Sequence, residues 1–378
     1  MKEFRIMRDI RNRPCTNGGF HILVGVPLRD ALFFLLFAFS ALFLSGCGAD
    51  TANTKEMKIV TDGVGRRVSI PDRVERVVVT NAYTVELINA IDRIDRVVGV
   101  DYRIYSDKEG FGNRFTADMV IGQSQGALDY EKVIALSPDI LFASGTKGGA
   151  DAFQERLNPF GISVVVMNSY YTEEFESNVT LLGEIFDNSA GAERLKSYFV
   201  GRLNYVNERL RDKPKKTAYF EYRKAGQTTV KGDYFYEMVE IAGADNIYAD
   251  APSRQISVED VVSKNPGYIV KVSEADVLST YVPPSQATYD RIRENIVSRP
   301  GWDEIDAVKN NRILLMSHYV HGGASKLVGA MYVAKFLYPE YLPELNPEEV
   351  FRTWVTEFQH IPYKKGHTYP AFEAEDGS

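Results

Sequence analysis

Two imidazoles stand three residues apart in His318-Tyr319-Val320-His321. A pair so spaced has the chemistry to bind a divalent metal or to supply axial ligands to haem or a corrinoid. No carboxylate lies in the immediate stretch, and His360 and His367 sit in a distant C-terminal segment. Hydrogen bonding from one of the pair to a chelate is therefore expected ahead of direct coordination, with a nickel or cobalt chelate left open. A second candidate is Gly122-Gln123-Ser124-Gln125-Gly126, which fits the G-x-S-x-G pattern of a nucleophile elbow. Asp303 and His318 would complete a serine-acid-histidine order. That elbow needs a strong strand before the serine and a helix directly after it. Only Met119-Val120-Ile121 precede, and the next helix is capped at Asp129, so a serine hydrolase is carried only as an alternative.

Cys47 is the third reactive group. It closes an apolar run from Ala31 to Leu44 through Ser45 and Gly46, with Lys2, Arg5, Arg8, Arg11, Arg13 and Arg29 upstream. A positive flank, a run shorter than the roughly 20 residues of a membrane span, and small residues before the thiol read as a lipoprotein signal peptide. Residues 1–46 are expected to be removed, residues 47–57 to form a tether, and the Cys47 thiol to carry lipid. The chain has 378 residues, two cysteines and a formal charge of −7, and loss of residues 1–46 takes the charge to −10. So acidic a body excludes a nucleic-acid partner. With Cys47 the one cysteine left, a disulfide, a zinc-thiolate site and a thiol nucleophile are excluded too. No cofactor is expected.

Positioning these groups falls to short β-branched runs alternating with helical stretches. The runs are Arg76–Thr80, Arg96–Val100, Ile140–Ser144, Ser163–Met167, Thr217–Tyr222, Tyr268–Val272 and Arg312–Met316. Helical stretches fall at Thr84–Ile91, Tyr130–Leu136, Phe175–Ile185, Tyr234–Ala242 and Val258–Val262. The alternation predicts an α/β fold of two Rossmann-like lobes with mainly parallel sheets, opened by a hairpin around Asp62-Gly63. Between the lobes, Leu195, Phe199, Leu203, Val206 and Leu210 recur at helical spacing within Ala190–Arg211. They predict one amphipathic helix roughly 33 Å long, stopped by Pro214. The expected boundaries are a lobe at 58–189, a connecting helix at 190–213, a lobe at 214–365 and a disordered tail at 366–378.

The two halves echo one another. Asp129–Phe142 matches Ser257–Val270 at a constant offset of 128, each a capping residue, a short helix with Glu at its second position, a proline turn and a buried strand.

On these residues the chain resembles the substrate-binding proteins of ABC importers for iron-siderophores, haem and cobalamin. The likeness runs from Val60 to about Phe358. It is carried by Arg76-Val77-Val78-Val79, Val97-Val98-Gly99-Val100, the Glu131 unit, Gly232 with Gly243-Ala244-Asp245-Asn246-Ile247, the Glu259 unit, Trp302–Met316 and Gly322-Gly323. The resemblance implies one rigid helix between two lobes, only small closure on binding, and one carboxylate per lobe docking on a permease dimer with its cytoplasmic ATPase. The echo maps these carboxylates onto Glu131 and Glu259. It implies a ligand held between the lobes by loops at strand ends. Tyr83, Tyr102, Arg103, Lys147, Tyr170 and Tyr171 come into view from the first lobe, and Arg223, Arg254, His318, Tyr319 and His321 from the second. Arg, Lys and Tyr suit a large anionic or aromatic ligand. The expectation is a monomeric, lipid-anchored binding protein on the outer face of the cytoplasmic membrane, carrying a metal chelate, a ferric siderophore first. Cobalamin, haem, molybdate or tungstate, and a nickel or cobalt complex are alternatives, and an adhesin is a further class.

Overall fold

The β-branched runs become strands, and their burial explains why they are uninterrupted. The computed structural model describes residues 56–274 and 280–373, so the signal segment, Cys47 and most of the tether lie outside the described residues. In the first sheet β3 (Val77–Val79), β4 (Val97–Val100), β5 (Ile140–Ala143) and β6 (Ser163–Val166) run parallel in the order β4-β3-β5-β6. Every residue of β3, β5 and β6 is buried, because helices on both faces leave no side for polar alternation. Before it comes the hairpin of β1 (Met57–Thr61) and β2 (Arg67–Pro71). Its turn is held by buried Asp62, which accepts from the backbone N–H of Arg66 at 2.9 Å and from the Arg66 guanidinium.

The second sheet orders β11-β10-β9-β7-β8, from β7 (Thr217–Glu221), β8 (Asp245–Asn246), β9 (Tyr268–Val272), β10 (Ile313–Met316) and β11 (Thr368–Tyr369). All pair parallel except β11, which runs antiparallel to β10. Strand β11 departs from the expected disordered tail. His367, fully buried, hydrogen-bonds the Ser317 hydroxyl through Nδ1 at 2.7 Å, and its carbonyl accepts from Ser317 N–H at 2.8 Å. Acidic, small-residue composition begins only beyond this strand, so the boundary at 366 is too early.

The helices used below are α1 (Ala82–Ala90), α2 (Tyr130–Ala135), α3 (Lys147–Leu157), α4 (Phe175–Ile185), α5 (Ser189–Leu210), α6 (Tyr236–Ile241), α7 (Val258–Lys264), α8 (Gln286–Val297), α9 (Ser325–Leu337) and α10 (Pro347–Thr353). The predicted connecting helix is α5, 22 residues long and capped by Asn188, with Leu195, Phe199 and Val206 buried. Phe199 meets Phe175 of α4 and Trp354 edge-on, each at 5.4 Å between ring centroids.

The echo is structural as well. Helices α2 and α7 and strands β5 and β9 all start at the same 128-residue offset. Ser137 and Asn265, likewise matched, both take left-handed backbone (φ 46° and 39°) immediately before a proline. A residue before proline resists continuing a right-handed helix, and the left-handed turn ends each one.

One connection was not expected. After α10 the chain returns to the first half, where the Asn89 amide donates to the Gln359 carbonyl at 2.8 Å and Gln359 Nε2 to the Glu86 carbonyl at 3.0 Å. Arg114 also donates to the Gln359 carbonyl. A single hydrophobic core consequently includes buried residues from both halves. The halves meet along α5 and again along this return segment.

Candidate functional site

Parallel strands aim their C-terminal ends at one edge of each sheet, and the loops leaving those ends bring side chains together. From β3, Asn81 caps α1 by accepting from Tyr83 N–H at 2.8 Å, which fixes Tyr83 at the helix mouth. From β6 come Tyr170 and Tyr171, their rings stacked at 4.3 Å. From β7 come Tyr222 and Arg223, and from β10 come His318 and a 3-10 turn, Tyr319–His321, that leads into α9.

The rings form a chain between the two halves. His318 and His321 lie 4.6 Å apart, and His321 is 4.9 Å from Tyr222 and 6.0 Å from Tyr234. Tyr234 donates to the Tyr222 hydroxyl and meets Tyr170 of the first half edge-on at 5.7 Å. Tyr83 closes the gap from the other side by lying on Gly322-Gly323. A Cβ on Gly322 would stand 2.3 Å from Tyr83 Oη, and one on Gly323 (φ +53°) 2.6 Å from Tyr83 Cδ1. Only glycines permit that approach.

Both histidines are neutral, and the hydrogen bonds say which nitrogen is free. Arg223 has donors only, so its 2.9 Å contact makes His318 Nε2 an acceptor. Burial foremost, then Arg223, pushes the His318 pKa down to about 4. His321, 2% exposed, directs Nδ1 at the His318 carbonyl at 3.1 Å and so donates from it. Its Nε2 is then a buried lone pair without a partner among the described residues, and burial foremost, with His318, holds its pKa well below the ordinary imidazole value.

Fully buried Lys326 ties the two sides together. Its ammonium donates to the carbonyls of Tyr170 at 2.7 Å and Tyr234 at 2.8 Å and pairs with Glu237. Glu237 in turn accepts from Thr172 N–H at 2.9 Å and Thr172 Oγ1 at 2.8 Å. Arg254 has its charge held by Asp233 at 3.0 Å. Arg223 differs from both cations: among the described residues no carboxylate forms an ion pair with it.

Other anticipated residues lie elsewhere. Tyr319 points into the core among Tyr281 at 5.0 Å, His367 at 5.7 Å and Phe351 at 6.0 Å. Three residues per 3-10 turn set His318 and His321 on one side and turn Tyr319 away. Tyr102 and Arg103 are exposed on a short helix. Lys147, at the start of α3, shares a surface hollow with Arg66 and Asp151 beside the hairpin. Glu131 and Glu259 are exposed in the first turns of α2 and α7, with the Ser257 hydroxyl holding Glu259 below the usual carboxylate range.

Ser124 is no elbow. It precedes a 3-10 turn, and its neighbour Gln125 braces Thr80 and Ser144 through three hydrogen bonds of 2.7 Å. Asp303 is exposed on a distant turn. Among the described residues, no group of three or more His, Cys, Asp or Glu is placed to hold a metal ion. Sequence reasoning missed Tyr222, Tyr234, Glu237 and Lys326. A lysine at the head of the apolar stretch Leu327–Met331 was the available signal for the last.

Known proteins are similar to this chain in sequence and in fold. The chain is 23% identical over 344 residues to the molybdate-binding protein MolA of Haemophilus influenzae, covering 81% of this chain and 92% of that one. It is 26% identical over 326 residues to YvrC of Bacillus subtilis, an uncharacterised ABC transporter substrate-binding lipoprotein, covering 81% and 96%. The solved structure of the TroA-like binding protein FepB from Veillonella parvula matches its fold with a TM-score of 0.70 at 21% identity, covering 83% and 99%. The profile of the periplasmic binding protein family spans residues 77–319, from β3 to the histidine turn. This chain belongs to that family, the non-enzymatic solute carriers that serve ABC importers outside the cytoplasm.

Proposed function

We propose that the cargo is an anionic metal complex, a ferric siderophore in the first instance, held between the two sheets by Arg223, the neutral histidine pair and the tyrosine wall. Arg223 carries this reading. It donates to neutral His318 and, among the described residues, forms no ion pair, whereas Arg254 and Lys326 are already paired. A guanidinium with no ion pair among the described residues, set among aromatic rings, favours an anion of some size. Cys47 anchors the protein through lipid, and Glu131 and Glu259, at matched places on two echoed units, dock it as a monomer on a permease dimer.

A second reading is a compact oxyanion such as molybdate. The contact of Tyr83 with Gly322-Gly323 leaves little width without movement, and MolA is a molybdate-binding relative. Thermal melts of residues 48–378 with ferric siderophores, haem, corrinoids, molybdate and chelated nickel separate the two. A ligand at 100 times its Kd adds about 2.7 kcal/mol. A rise with a ferric chelate that Arg223→Ala abolishes supports the first reading, and a rise with molybdate alone supports the second. A rise with neither, or one that Arg223→Ala leaves intact, refutes the site.

A further inference from the structure

Arg223 also lines a second hollow, between the ends of β7 and β9 and one face of α8. Lys271, Ser273, Arg291, Asn295 and Arg299 line it with Arg223. Thr288, Arg291 and Asn295 recur at helical spacing, so one side of α8 is turned toward it. Beneath it, fully buried Glu221 accepts from Tyr219 Oη at 2.9 Å, Gly226 N–H at 3.0 Å and both arms of Arg299 at 2.9 Å, and pairs with Lys271 at 3.0 Å. One carboxylate there answers two cations. Lys271 also donates to the carbonyls of Tyr222 and Arg223, at 2.7 Å each, and so holds the loop that presents Arg223.

Among the described residues the hollow sets only Glu221 and Glu274 against four cations, an excess of two positive charges among them in a chain whose formal charge is −7. Among the described residues Arg291 makes no ion pair. Ser273, 2% exposed, has a buried hydroxyl without a hydrogen-bond partner among the described residues. Spare positive charge and an unused donor are what an anion needs.

We propose that this hollow is a second anion subsite, contiguous with the cleft through Arg223, that receives a free carboxylate of the cargo. It rests on the reading of the cleft as a site for an anionic metal complex, and narrows that class to chelates of polycarboxylates. The metal-bearing core lies against the tyrosines and histidines, and the pendant carboxylate lies against Arg291 and Ser273.

The test is calorimetric titration of residues 48–378 with ferric citrate and with a ferric trihydroxamate that has no free carboxylate. Arg291→Gln, at an exposed position where folding is not at stake, is expected to weaken ferric citrate about tenfold and the trihydroxamate less than about twofold. Ser273→Ala is expected to act in the same direction. Equal effects on both chelates, or ferric citrate binding that ignores Arg291→Gln, overturn the subsite while leaving the cleft reading in place. Binding of the trihydroxamate but not of ferric citrate by the parent protein also overturns the subsite alone, whereas failure of both chelates to bind overturns both readings together.

Discussion

Replacing Lys326 by methionine keeps most of the side-chain volume and removes the ammonium that spans the cleft. Three acceptors lose their donor at once: the carbonyls of Tyr170 and Tyr234 and the carboxylate of Glu237, which keeps only the two donors of Thr172. Burial pushes the Lys326 pKa down and Glu237 pulls it back, so the pair holds its charges against desolvation by mutual contact. Removing one partner of such a pair costs about 3–5 kcal/mol. At roughly 2.1 cal/mol/K per residue, a body of about 320 residues unfolds with an entropy near 0.7 kcal/mol/K, so Tm should fall by about 4–7 °C. Lys326→Met combined with Glu237→Gln should recover at least half of that loss, because glutamine still accepts from Thr172 and strands no charge. Scanning calorimetry of the parent, both single variants and the double measures it. A Lys326→Met protein melting within about 1 °C of the parent, or a double variant equal to the sum of the singles, would refute the latch.

Acid should destabilise the fold through its neutral histidines. Burial foremost holds His318 at about 4 and His367 at about 3, so below pH 6.5 the unfolded chain binds protons that the native state does not. The stability present above pH 6.5 is then lost as pH falls toward 4 for His318 and toward 3 for His367, roughly 3 kcal/mol for His318 alone at about 1.4 kcal/mol per pH unit. Urea midpoints at pH 7, 5.5 and 4 should fall less steeply for His318→Gln than for the parent, and identical slopes count against it. Gly322→Ala should cost about 1–3 kcal/mol by forcing Tyr83 aside, and the cost should vanish in a Tyr83→Ala background. An equal cost in both backgrounds removes that contact from the account. Glu131→Ala with Glu259→Ala should leave melting unchanged and abolish stimulation of the permease's ATPase; full stimulation by the double variant would end the docking role.

Local chemistry was legible in the sequence and distant pairing was not. The echo, α5 and most strands follow from spacing and caps, since each depends on residues within a few turns of one another. The histidine pair could be named because both imidazoles lie on one short turn. Its orientation, which sends Tyr319 into the core, depends on that turn being 3-10. Lys326 reads as an ordinary lysine because its partners Tyr170, Tyr234 and Glu237 lie 156, 92 and 89 residues away. Lys147, Tyr102 and Arg103 follow strands at the proper edge, but the sequence does not say how far along that edge the ligand sits.

The return of Gln359 to Asn89 sets an order of events. Those two residues are 270 positions apart, so the first helix of the body waits for nearly the last part of the chain before its polar side is satisfied. Domains generally fold as units, and long-range closures of this kind slow folding. Here the early half stays unfinished until the late half arrives.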